Sequence, residues 1–130
     1  MFSGVLFSSG TITATGDGAW TKWPGLSDKL YSKGLFKLVP SDLATDETLD
    51  VTIQTAFDEN GSGAQNLQVF TQVTNTNAAQ QAGLGGVSAI SVYSGANHPG
   101  LVLPVYFRVR YTVGGSTPSM SFIIYAALSE

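Results

Sequence analysis

The side chains that could do chemistry are few, and none stands in a catalytic pattern. His98 is the one histidine and lies in Gly95-Ala96-Asn97-His98-Pro99-Gly100, which is turn composition. A general base or metal ligand needs partners, and a chain with one histidine and no cysteine supplies few of them. The acidic run Asp42, Asp46, Glu47 and Asp50 lacks the glycine-pivoted, alternating oxygen spacing of a calcium loop. It reads as a solvated face or a contact between copies. Asp58-Glu59-Asn60-Gly61-Ser62-Gly63 has no G-K-[ST] and no downstream bidentate glutamate, so it reads as a hairpin turn. Serines and threonines abound, but none sits in a context such as G-x-S-x-G. No catalytic, cofactor-binding or metal-binding residue is expected, and the chain is not expected to be an enzyme.

Side chains suited to recognition are easier to find. Trp20 and Trp23 flank Thr21-Lys22, where indoles beside a lysine could stack on a sugar ring or anchor a protein partner. Core or rim packing remains the alternative for both. Arg108 and Arg110 are two apart on a strand-like run, so they share a face and could fork onto carboxylates of a neighbouring subunit or simply face solvent. Phe2, Val5 and Phe7 make the first residues apolar, and such a terminus docks somewhere. The candidate interface is therefore Phe2, Val5, Phe7, Trp20, Trp23, Arg108 and Arg110. Residues 1–9 are expected to form an arm or an edge strand.

Composition narrows the partners. Only 12% of the 130 residues are charged, against roughly a quarter in an ordinary domain, and 43% are apolar. That suffices for one core in a single domain, 1–130. The net charge of −3 and the lack of clustered basic and aromatic residues argue against nucleic acid. Met1 to Phe7 is too short to span a membrane and lacks the basic flank of a signal peptide, so no membrane segment or leader is expected. Without cysteine, stability must come from the core or from oligomerisation. Charge is polarised: residues 1–41 carry +2 and residues 42–59 carry −6.

The elements that position these side chains read as strands. Leu49, Val51 and Ile53 alternate with Asp50, Thr52 and Gln54, and Leu67 to Val73 repeats the pattern after the Asp58–Asn66 turn, which predicts a hairpin. Leu103, Val105, Phe107, Val109, Tyr111 and Val113 alternate with Tyr106, Arg108, Arg110 and Thr112. Gly114 to Ser119 reverses the chain, and Met120, Phe122, Ile124, Ala126 and Leu128 resume the alternation. The spacing predicts a closing hairpin over Leu103 to Leu128. Shorter strands are expected at Thr11–Thr15, Leu35–Val39 and Val87–Tyr93, with Asn75–Gly83 a loop. About seven or eight strands and no helix to spare favour an all-β fold: an antiparallel β-sandwich, jelly-roll-like in its wrapping.

The run Leu103-Pro104-Val105-Tyr106-Phe107-Arg108-Val109-Arg110-Tyr111-Thr112-Val113-Gly114-Gly115-Ser116-Thr117-Pro118-Ser119 resembles the closing hairpin of small capsid decoration, or cement, proteins of tailed bacteriophages. Gly10 to Gly16, Leu49 to Gln54 and Phe70 to Val73 extend the resemblance more loosely. It implies a sandwich domain on the outer surface of the virion head, commonly a homotrimer, that bridges subunits of the major capsid protein and has no catalytic residues. The alternative is a carbohydrate- or receptor-binding module of a phage tail, with a glycan stacked on Trp20 and Trp23.

Overall fold

Alternating apolar residues become strands whose inner stripe closes one core. The computed structural model describes residues 1–26, 30–41, 43–75, 86–90 and 104–130, with residues 33 and 86–90 described by their backbone. His98, Asp42 and Leu103 lie outside the described residues, as do most of the Asn75–Gly83 loop and the end of the Val87–Tyr93 strand. The strands are β1 Phe2–Ser8, β2 Gly16–Asp17, β3 Thr21–Lys22, β4 Lys33–Ser41, β5 Thr48–Ala56, β6 Gln65–Val69, β7 Val73–Thr74, β8 Gly86–Ile90, β9 Tyr106–Gly114 and β10 Ser121–Ser129. Among the described residues there is no helix.

Two antiparallel sheets hold these strands, one in the order β1-β10-β4-β8 and one in the order β2-β9-β5-β6, with β3 also on β9 and β7 also on β5. β2 and β3 act as one interrupted strand against β9, and β6 and β7 as one against β5. The pairs are then nested: β1 with β10, β2/β3 with β9, β4 with β8, and β5 with β6/β7. That wrapping is the eight-stranded jelly roll.

Between the sheets, Leu49, Val51 and Ile53 of β5 and Val109 of β9 face Phe36 and Leu38 of β4 and Phe122, Ile124 and Leu128 of β10, all essentially inaccessible to solvent. Aromatic rings knit the layers together. Phe122 stacks on Phe7 of β1 at 5.5 Å and meets the edge of Tyr111 of β9 at 5.8 Å.

The structure corrects the closing hairpin. β9 and β10 carry the expected inner stripes but lie in opposite sheets and do not pair. Alternation reports which face a strand buries, not which strand lies beside it, and in a sandwich both sheets turn their apolar faces inward. Paired strands lie about 4.8 Å apart, whereas packed sheets lie about 10 Å apart, so the largely exposed connection from Gly115 to Met120 passes from one sheet to the other instead of turning back. The acidic run anchors that crossing. Asp46 accepts the Ser116 amide at 3.1 Å and its hydroxyl at 3.0 Å, and Glu47 accepts the Ser119 amide at 3.4 Å. Gly115 has φ +125°, and a Cβ there would meet the Glu47 side chain at 3.1 Å.

Two other expectations are revised. Leu67 to Val73 is not one strand: Leu67 packs against the core, Val69 is exposed, and Phe70 and Val73 are buried, so the inward parity changes and the strand breaks over Phe70–Gln72. Burying the larger Phe70 ring outweighs an unbroken alternation. The expected strand at Thr11–Thr15 reduces to one bridge, Ile12 with Met120. The hairpin of β5 and β6 is present, and Asp58 closes its turn by accepting the amides of Asn60 and Ser62.

These turn carboxylates set an acid limit. Hydrogen bonds from Ser116, its amide first, hold the Asp46 carboxyl below the usual range, and bonds from Ser62 do the same for Asp58. A depressed folded pKa gives stability that is present above the unfolded value, near ~3.9, and lost as pH falls through the folded one. The thermal midpoint is therefore expected to fall below about pH 4, and more gently in Asp46→Asn/Asp58→Asn, by calorimetry across a pH series. Equal acid slopes in both proteins would contradict this.

Candidate interaction surface

The outer faces of the two sheets differ in chemistry. On the sheet built around β9 and β5, outward side chains are tied to one another. Arg110 donates its Nε–H to Asp17 at 2.8 Å, and Arg108 lies 3.7 Å from the same carboxylate while donating to Gln54 at 2.9 Å. Gln54 in turn donates to Asn66 at 2.8 Å. The two arginines do share the outer face, as their spacing implies, but the chain's own Asp17 is the carboxylate they meet. A shallow polar depression bounded by Asp50, Thr52, Asn66, Arg110 and Thr112 lies beside them.

The tryptophans do not form a platform. They are three residues apart, so an extended chain sends them to opposite faces. Trp23 is buried, at 2% exposure; it stacks on Phe107 at 4.4 Å and donates its indole N–H to the Pro104 carbonyl at 2.7 Å. As an interface residue it is therefore corrected to a core residue. Trp20 is half-buried, with the Arg108 guanidinium 4.5 Å from its ring centre and Gly61 so close that a Cβ there would sit 2.6 Å from the indole nitrogen. Trp23 therefore offers no face to a sugar, and Trp20 is shared with Arg108 and Gly61.

The outer face of the four-stranded sheet is apolar. Cross-strand register sets Ser3, Ala127 and Leu35 in one row, Val5, Tyr125 and Lys37 in the next, and Ser8, Ile123 and Val39 in a third. Ser121 and Ser41 close it, with their hydroxyls hydrogen-bonded at 2.9 Å. Val5, Leu35 and Tyr125 are 51%, 45% and 42% exposed. Lys37 is the one charge in these rows. Of the apolar residues singled out in the N-terminal strand, Val5 belongs to this surface. Phe2 and Phe7 are half-buried and pack against the core.

Sequence reasoning passed over this surface, although a signal for it was present. Phe122-Ile123-Ile124-Tyr125-Ala126-Ala127-Leu128 is apolar at both parities, and Leu35-Phe36-Lys37-Leu38-Val39 nearly so. A strand apolar on both faces is a strand covered on both faces. The inner stripe accounts for Phe122, Ile124, Ala126 and Leu128; Ile123, Tyr125 and Ala127 form the surplus.

Among the described residues there is no group of three or more histidine, aspartate or glutamate side chains placed to hold a metal ion. Comparison with protein families, curated proteins and solved structures finds no match to the chain.

Proposed function

We propose that this chain is a virion structural protein that binds the outer surface of an icosahedral phage head and stabilises it by bridging major capsid protein subunits. The observation that carries the reading is the apolar outer face of the β1-β10-β4-β8 sheet, on a jelly roll whose other outer face carries the hydrogen-bonded network of Asp17, Arg108, Arg110, Gln54 and Asn66 beside the exposed Val69. Apolar side chains at Val5, Leu35, Ile123, Val39 and Tyr125 gain by leaving water, and they lie in adjacent rows of one sheet face. The resemblance of Leu103 to Ser119 to decoration proteins supports the same reading. A protein that binds only the assembled shell stabilises it by mass action, so modest affinity per copy suffices when many copies bind.

Immunogold labelling of intact virions with an antibody to this chain tests the location. Label distributed over the head is expected; label confined to the tail, or absent from the particle, overturns the reading.

A further inference from the structure

We propose that two copies of this chain associate by antiparallel pairing of their β1 strands across a twofold axis, forming one eight-stranded sheet. β1 ends the order β1-β10-β4-β8; one side of it pairs with β10, and among the described residues no backbone hydrogen bond occupies the other. An open strand edge is a row of unpaired donors and acceptors, and proteins guard such edges with short strands, charges, prolines and bulges.

The edges of the other sheet carry those guards. β2 and β3 are two residues each and include Asp17 and Lys22, while β6 and β7 are separated by Phe70–Gln72. β1 runs for seven residues, Phe-Ser-Gly-Val-Leu-Phe-Ser, with no charge and no proline. Its irregularities are Gly4, with φ +154°, and the register shift between Val5 and Phe7, and Phe2 to Val5 keep unbroken register with β10. β8, at the far edge, is bordered by residues outside the described range and carries no part of the argument.

A second copy fits this edge because a twofold antiparallel pair matches the strand to itself. An uncharged strand places no like charges opposite one another, and an axis near Gly4 or Val5 brings the exposed Val5 side chains together on the apolar face. The two Lys37 side chains then stand about five strand spacings apart, on the order of 24 Å, well beyond the screening length of about 8 Å. Stacking two such sheets face to face would instead press Lys37 into apolar surface. One strand pair buries less than the roughly 1,200 Å² of a standard interface, so the dimer is weak in dilute solution. This is a twofold contact in place of the three-fold symmetry that the family resemblance implies, and it does not rest on the shell-binding reading.

Sedimentation equilibrium of the full chain over a wide concentration range tests the pairing. The expected result is a monomer–dimer equilibrium that Val5→Lys weakens at least tenfold and that Gln65→Lys, on the edge of the other sheet, leaves unchanged. Ser3→Lys replaces Val5→Lys if that variant fails to fold. Hydrogen exchange of the Phe2 to Ser8 amides is expected to slow as wild-type concentration rises. A monomer at every concentration, a dimer indifferent to lysine on β1, a closed trimer, or a mass that grows without limit would each overturn the proposal. None of these outcomes bears on whether the chain labels the virion head.

Discussion

Replacing Phe107 with alanine is expected to destabilise the domain by about 3–5 kcal/mol, the range for emptying a buried aromatic site. Phe107 lies on the inner face of β9 at 6% exposure, its ring stacked 4.4 Å from that of Trp23, which in turn tilts against Phe36 of the opposite sheet at 6.1 Å. Removing the ring takes away one face of a three-ring column that joins the layers, and the flanking Trp23 is held by its bond to Pro104, so the space cannot close easily. For a chain of this size the thermal midpoint should drop by roughly 10–20 °C. A shift near zero would mean that β9 presents its other face to the core.

The second large effect is on binding. Leu35→Glu combined with Tyr125→Glu is expected to leave the fold standing, because both side chains are more than two-fifths exposed, and to weaken binding to phage heads on the order of 100-fold or more. Two carboxylates placed in neighbouring rows of the apolar face would have to be stripped of water against the shell. Arg108→Ala/Arg110→Ala is the matched comparison. Those guanidiniums are engaged by Asp17, Gln54 and the Trp20 ring, so their loss is expected to change head binding far less. Cosedimentation of each variant with heads that lack the chain measures both, and a larger loss in the arginine variant would move the binding surface to the other sheet.

The residues that were legible in the sequence are those whose side chains alternate. Leu49, Val51 and Ile53, and then Phe107, Val109, Phe122, Ile124 and Leu128, are inward in the structure as their period of two requires. Partnership was not legible, because period two is a property of one strand and pairing is a property of two. The same inward stripe on β9 and β10 suits a hairpin or a crossing between sheets, and the jelly roll takes the crossing, held by Asp46 and Glu47 on the Ser116 to Ser119 segment. Among candidate interface residues, attention to unusual side chains favoured Trp23, whose large apolar surface is what draws it into the core. The surface with the stronger physical claim is made of ordinary residues, Leu35, Val39, Ile123 and Tyr125, conspicuous because the outward positions of strands β4 and β10 are mostly apolar, with Lys37, Ser41 and Ser121 the exceptions in the rows described.

Shell binding through that face is tested most directly by a cryo-electron microscopy reconstruction of the virion head resolved well enough to separate the two sheets of the jelly roll. The expected map has this domain on the outside of the shell, with Leu35, Tyr125 and Ile123 against major capsid protein and the Asp17, Arg108 and Arg110 cluster facing away. A head without the domain, or a domain seated on the arginine face, would contradict it.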